Sequence, residues 1–518
     1  MSINLKTVFP VACFLAWLFF VVSCEEPAEP IDPPVDVIPD TTIIIGSGDT
    51  ITVPIDTIIA SFSFTNNNCT AICSLSFTNA SYNATSYLWD FGDPILGEPS
   101  TSTAANPSHS YKTSGTFLVV LKATRGTQSS TYTQMVTITR PNLPYTIGTA
   151  KSEYGNGVVQ TTDGGYMVVG SRQVGNGNLN VYLFKTDASR NVLWESNFGG
   201  SANDRGYAIE ATPDGDFIIA GYTESTGAGL KDIYLIRANA AGGTKWRTTI
   251  GGAGTDEGLA VALSNDGGFV VLGSTQDDVN NTNKDVVLAK TDAYGNLLWE
   301  KRFDPGGPKE AYCIQATPDG GYLIGGFNSS FPTNLPPFEG VSYLVKTDGD
   351  GNILWENDDI PNLFHIKSIG NTADGGFILA GLRNKYTDLA HIILAKINAD
   401  GTLEWSKSDY TSGALYDEVN RIRQTSDGGY ILCGAADASP YQTPARKDIL
   451  VIKTDGAGNE IWAKRFRDGA EYGAGYDIRE TADGGYIVAG SLLVELVEFV
   501  SSDFDVYLLK LDANGNAE

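Results

Sequence analysis

Histidine is nearly missing: 518 residues hold three, His109, His365 and His391. None stands at a spacing that ligates a metal. Neither a nucleophile elbow nor a phosphate-binding loop occurs. Positive charge is scarce. Thirty-five Lys and Arg face 61 Asp and Glu, the net charge is -26, and no basic cluster stands out. A phosphate backbone would be repelled, which excludes nucleic acid as a partner. The acidity suits a solvated, exported surface. Cysteine is also sparse, with six in all. Cys13 and Cys24 fall in the N-terminal leader. Cys313 and Cys433 occupy strand-like runs where sister repeats carry Ala or Val, so they read as small buried apolar residues. A cysteine metal site is not expected, nor any cofactor. Cys69 and Cys73 remain, close together in an exported domain, and a disulfide between them is expected.

Long apolar runs are limited to Val8–Val22, too short and too quickly followed by Pro and Glu for a membrane span. Lys6 precedes this run and Val21-Val22-Ser23-Cys24 ends it. The order resembles the lipobox of bacterial lipoproteins. It implies a signal peptide over 1–23 and a lipidated Cys24 as the mature N-terminus, carrying palmitate-type acyl chains in the outer membrane. Residues 24–57 are rich in Pro, acid and Thr and read as an extended tether. The acids directly after Cys24 resemble the surface-export signal of Bacteroidetes-type lipoproteins. Asp40-Thr41-Thr42, Asp49-Thr50-Ile51 and Asp56-Thr57-Ile58 resemble the O-glycosylation sequon of the same bacteria. The resemblance implies glycans on Thr41, Thr50 and Thr57.

What is abundant is glycine, 58 residues, with plentiful Tyr, Phe and Trp. That mixture suits an all-β protein with many tight turns. Over 58–140, short alternating runs such as Ser61-Phe62-Ser63-Phe64 read as strands. Tyr87-Leu88-Trp89-Asp90-Phe91-Gly92-Asp93 is followed by Asn106-Pro107-Ser108-His109-Ser110-Tyr111 and by Gly115-Thr116-Phe117. The set resembles the PKD family, with Pro94 replacing the last Gly of the first element. It implies an immunoglobulin-like β-sandwich with Trp89 in the core, in which Asp90 and His109 are structural. Such domains act as spacers or adhesion modules.

From Leu143 onward the chain repeats. Asp-Gly-Gly-aromatic or Asp-Gly-Asp-aromatic begins at Asp163, Asp214, Asp266, Asp319, Asp374, Asp427 and Asp483. Each repeat has an alternating run, this turn, an apolar strand, a variable loop, a third strand, a Thr-Asp-Ala-x-Gly-Asn-like turn and a fourth strand. The fourth strand carries Trp194, Trp246, Trp299, Trp355, Trp405 or Trp462. Four antiparallel strands in seven copies predict a seven-bladed β-propeller over 143–518. The pattern resembles the D-G-G-Y / L-W-E propellers of exported bacterial proteins. The seventh copy lacks its own fourth strand. Residues 145–149, Tyr-Thr-Ile-Gly-Thr, match the end of one, so the N-terminal strand is expected to complete the last blade and close the ring.

Asp348-Gly349-Asp350-Gly351-Asn352 looks like the start of a calcium loop, yet it aligns with an ordinary turn in its sisters and lacks the later Glu. No metal site is expected there. Nine or ten residues before the D-G-G turn stand Glu153, Asp204, Asp256 with Glu257, Glu310, and Asp417 with Glu418. They could ring the channel mouth and draw a cation or polar ligand. Alternatively each accepts backbone N–H groups of its own loop, and this structural role is expected.

No catalytic residue is expected. The leading reading is a monomeric, non-enzymatic binding or adhesion protein at the cell surface, touching the membrane only through its lipid and holding an extracellular glycan or protein. The alternatives are a carbohydrate-active propeller enzyme and a scaffold subunit of an outer-membrane complex. An enzyme should hold one or two acids that break the repeat pattern in the channel. Variation concentrates in loops on one face, so Phe331, Phe338, Tyr441 and Phe499 are the expected ligand contacts.

Overall fold

The computed structural model describes residues 37–38, 42–44, 50–52, 57–65, 73–93, 100–111, 115–138, 146–149, 151–175, 177–276, 284–303, 309–328, 341–358, 360–383, 391–408, 410, 417–437, 447–466, 472–497 and 501–518. All regular elements among them are β-strands. The chain divides into two compact units, one of residues 1–111 and 115–139, the other of the remainder.

In the first unit, Val37–Ile38, Thr42–Ile44 and Thr50–Thr52 pair as a short antiparallel meander. These strands lie within residues 24–57, the stretch read above as a tether. Its Thr/Ile runs are β-branched and favour pleated pairing over an isolated extended chain. The sandwich has two sheets. One joins Phe62–Phe64, Cys73–Asn79 and Ser108–Tyr111. The other joins Gln128–Ile138, Gly115–Arg125, Ser86–Asp90 and Thr101–Ser102. Their inner faces bury Phe77, Trp89, Phe91, Tyr111, Val119 and Leu121. The indole N–H of Trp89 donates to the Ala104 carbonyl at 2.9 Å, so the buried ring leaves no polar group unpaired. His109 stacks on Phe91 at 4.4 Å and pairs through Nε2 with Asp93 Oδ2 at 3.2 Å. Asp90 instead accepts the Gly92 N–H at 3.0 Å.

The second unit is a ring of seven four-stranded sheets. The first blade runs Glu153–Gln160, Tyr166–Val174, Asn178–Thr186, Val192–Phe198 from axis to rim. Sheets pack face to face, so the second and third strands of each blade are buried on both sides over most of their length. Ile218, Ile219 and Ala220 in succession are buried, with Ile219 against Val169 and Leu183 of the blade before and Ile218 and Ala220 against Val261 and Val271 of the blade after. This explains continuous apolar runs where a one-sided sheet would alternate. The rim strands alternate, because one face meets solvent.

Two local devices repeat. In every D-G-G turn the first glycine is left-handed, with φ from +79° to +88°, a conformation that a side chain disfavours. The preceding aspartate caps the turn: Asp163 Oδ1 accepts Thr161 Oγ1 and the Gly165 N–H. A third-strand cation pairs with it, Lys185 here, and Lys290, Lys346, Lys396, Lys453 and Lys510 elsewhere, with Arg237 in blade two. Each rim tryptophan also lies against the left-handed glycine of the next blade's outer turn, as Trp194 on Gly242 and Trp355 on Gly401. Six such joints exist. At the seventh, where no tryptophan arrives, the turn carries Arg190 at φ +70° in place of glycine.

The ring closes as expected. Thr146 and Ile147 pair with Tyr507 and Val506, completing the seventh blade beside Ser501–Leu511. Ala517 bridges Leu511 at the other end of the same edge. Val158, Tyr166, Val168 and Tyr182 of blade one pack on Ile487, Ala489, Val506 and Leu508 of blade seven.

Candidate binding site in the axial channel

The innermost strands surround the axis: Glu153–Gln160, Asp204–Ala211, Thr255–Leu263, Lys309–Ala316, His365–Asn371, Asp417–Gln424 and Tyr472–Glu480. All seven carry a bulge at the same step, after Gly155, Gly206, Gly258, Ala311, Ile366, Val419 and Gly475. A bulge leaves one residue unpaired and re-aims its side chain. The bulged residues are Asn156, Tyr207, Leu259, Tyr312, Lys367, Asn420 and Tyr476. Asn156 and Asn420 each donate to the next blade's strand, at the Gly206 and Gly475 carbonyls, 2.7 and 2.8 Å away. Lys367 lies 3.6 Å from the Tyr312 ring centre. Burial pushes the Tyr207, Tyr312 and Tyr476 phenols up, which keeps them neutral, and pushes the Lys367 ammonium down.

Below this ring, toward the D-G-G turns, the seven-fold pattern breaks. One step past the bulge stand Gly157, Ala208, Ala260, Cys313 and Ser368, but Arg421 and Asp477 in blades six and seven. Two steps further stand Val159, Ala262, Gln315 and Gly370, but Glu210, Arg423 and Arg479 in blades two, six and seven. These five charged groups meet across the axis. Asp477 Oδ1 lies 3.1 Å from Arg421 Nε and 3.4 Å from Arg423 Nη2. Arg479 Nη2 reaches Glu210 Oε1 at 2.9 Å, and Arg423 Nη2 lies 3.7 Å from the same oxygen. Backbone groups join in: Arg479 Nε donates to the Val158 carbonyl at 2.6 Å, Arg423 Nε to Ile478 at 3.0 Å, and the Val158 N–H to Asp477 Oδ2 at 3.1 Å.

Asp477 is buried with three guanidinium groups around it. Burial opposes its charge, but the arginines prevail and hold it down at about 2. Glu210 is lowered as well: Arg479 and Arg423 overcome its desolvation. Burial, then the neighbouring Arg479 cation, holds the Arg423 guanidinium below its ordinary value. So the two carboxylates stay ionised, the reverse of what a general acid needs. His365, higher in the channel, stacks on Phe327 at 3.8 Å, and burial holds it down at about 4.

The repeat-wide carboxylates take the structural role. Glu153 accepts Thr149 N and Oγ1 at 3.2 and 2.6 Å and Arg172 Nε at 3.1 Å. Asp204 accepts the Gly200 N–H at 2.9 Å, and Asp256 the Gly252 N–H at 2.8 Å. All three are buried. One assignment needs correction. Strand register puts Lys309, not Glu310, at this position in blade four. Glu310 stands one step on, level with Glu257 and Glu418, which pair with Lys231 and Lys447. Asp348 closes its turn on Asp350 N, Asn352 N and Asn352 Nδ2 at 2.8–2.9 Å. Among the described residues no cluster of three His, Cys, Asp or Glu could hold a metal.

Cys24, Thr41, Cys69, Phe331, Phe338, Tyr441 and Phe499 lie outside the described residues. Cys73 opens the strand Cys73–Asn79 and Thr50 opens Thr50–Thr52. Thr57 is half-buried, and its carbonyl accepts Asn83 Nδ2 at 3.4 Å. The channel arginines were missed in the sequence, although Arg421-Ile422-Arg423 and Arg479 stand out once the repeats are aligned.

A model of the PKD domain family matches residues 54–140. No curated protein matches the chain. Solved structures similar to it include a Lactobacillus plantarum protein, at 11% identity over 71% of this chain and 94% of that one, TM-score 0.44. Another is an ulvan lyase of a polysaccharide lyase family, at 10% over 70% and 95%, TM-score 0.46. A third is the β-propeller domain of the trilobed protease from Pyrococcus furiosus, at 10% over 71% and 95%, TM-score 0.41. The chain is all-β, a PKD sandwich followed by a propeller.

Proposed function

We propose that this chain is a lipid-anchored cell-surface binding protein, with the PKD sandwich as spacer and the propeller as recognition head for an extracellular glycan or protein. One observation carries the reading. In the lower channel the repeat breaks, because blades two, six and seven place charged side chains where sister blades carry Gly, Ala, Cys, Ser, Val or Gln. Five sister positions one step past the bulge hold only Gly, Ala, Cys or Ser, and the ring closes there equally well. Departure from a structural repeat at a concave, polar place is what a binding function requires. The ionised state of Glu210 and Asp477 and the neutral state of the channel tyrosines favour holding a ligand over proton transfer. The leader, tether and Cys24 supply the anchor.

The enzyme reading has one observation in its favour. Glu210 and Asp477 are two acids that break the repeat pattern in the channel. Both are committed to arginines, which makes them positioning groups rather than an acid–base pair. Full-length protein in detergent, applied to a glycan array and used as bait with extracellular material, tests the proposal. Saturable binding of a defined ligand supports it. Recovery of only a stoichiometric outer-membrane partner would make the chain a scaffold.

A further inference from the structure

The lower channel holds three guanidinium groups, Arg421, Arg423 and Arg479, against two carboxylates, Asp477 and Glu210. One positive charge is left over within the cluster, in a protein whose net charge is -26. These arginines sit deep in the ring, yet 19–26% of each side chain remains open, while Asp477 is closed at 1%. The three cations therefore face the channel beside Glu210, itself 29% open, and the aspartate sits behind them. Nε of Arg421 is buried, and its approach to Asp477 is off the line that a hydrogen bond needs. A surplus cation far from bulk water is costly unless a counter-charge meets it. Planar guanidinium forks suit carboxylate and sulfate oxygens in particular.

The rest of the channel narrows the class of ligand. Tyr207, Tyr312 and Tyr476 lie one layer above, half-buried. Aromatic faces with hydroxyl rims suit the apolar and polar sides of a sugar ring. An extended peptide would need free strand edges to pair with. Here the inner-edge carbonyls of Gly206, Gly475, Val158, Ile209 and Ile478 already accept side-chain donors. We infer that the lower channel binds an oxyanion, a carboxylate or sulfate ester, carried by an acidic saccharide, with Arg421 and Arg423 as its direct donors. This rests on the propeller being the recognition head.

Titration calorimetry on the full-length protein in detergent tests it. The probes are oligogalacturonate, a sulfated galactan oligosaccharide, a neutral galactan oligosaccharide of equal length, inorganic sulfate and oligoglutamate. One acidic saccharide should bind about tenfold or more tighter than the neutral chain, and weaken as salt rises. Which of the two binds tells carboxylate from sulfate ester. Arg421→Ala should weaken that binding about tenfold or more, and Arg421→Lys less, since the charge remains but the fork is lost. If Arg421→Ala fails to fold, Arg423→Gln replaces it with the same expectation. Equal affinity for the neutral chain, or unchanged affinity in folded variants, overturns the inference. So does sulfate binding alone, which would mark a small-anion site only, or oligoglutamate binding more tightly than both acidic saccharides. A neutral-glycan hit would leave the recognition head standing without the anion site. Absence of any ligand on the array and in calorimetry would remove both.

Discussion

Gly375 and Gly401 belong to the same blade and share φ +86°, but their surroundings differ. A methyl group on Gly375 would meet nothing within 4 Å. On Gly401 it would stand 2.9 Å from Trp355 Cη2 and 3.0 Å from Cζ3. Alanine at either site bears the left-handed penalty, about 1–2 kcal/mol. Only at 401 does it also push on the ring by which blade four holds blade five, an overpacking cost of about 1–3 kcal/mol. Gly375→Ala should therefore lose about 1–2 kcal/mol and Gly401→Ala about 2–5 kcal/mol. Urea unfolding followed by tryptophan fluorescence gives both values from midpoint and slope. In a Trp355→Ala background the excess at 401 should vanish, since the colliding ring is gone, while the cost at 375 stays. Equal losses at the two glycines, or an excess that survives removal of Trp355, would refute the claim that tryptophan–glycine contacts join the blades.

Asp477→Asn should cost about 3–5 kcal/mol, because it breaks a buried ion cluster and leaves Arg421 without the carboxylate it faces. Its pH signature has a definite sign. The folded value of about 2 lies below the ordinary 3.8, so the stabilisation is complete above pH 3.8 and is lost as pH falls toward 2. The unfolding midpoint of the variant should change less than wild type over that window. Deleting residues 143–150 removes the strand paired with Val506 and Tyr507. Ile147 is partly buried against blades one and seven, so its loss costs less than the about 1.5–3 kcal/mol of a fully buried side chain, and the exposed edge should show as lost solubility or a second unfolding step. A ring as stable and soluble as wild type would deny this strand a part in closure. Cys24→Ala should release the protein from membranes into the soluble fraction on cell lysis, and retention equal to wild type would contradict the anchor.

The propeller was legible because its instructions are local. The D-G-G turn needs only Thr161, Asp163 and two glycines within five residues, and its repetition counts the blades. Ring closure was legible because the seventh repeat lacks a rim strand that Thr146 and Ile147 supply. The channel charges were not legible for the opposite reason. Arg479 and Glu210 are 269 residues apart and become neighbours only when the ring shuts. Glu310 stands one residue from the position expected of it, and a strand's faces alternate, so one step exchanges Lys309 for Glu310. The short meander before the sandwich has no turn signal as clear as Asp-Gly.

The central claim is that the channel holds a ligand without transforming it. The most direct test incubates full-length protein with the acidic saccharide it binds best and separates the products by chain length. The account predicts saturable binding and a saccharide recovered at its original length, however long the incubation. Shortened chains that disappear with Glu210→Gln or Asp477→Asn would contradict it and make the channel an active site.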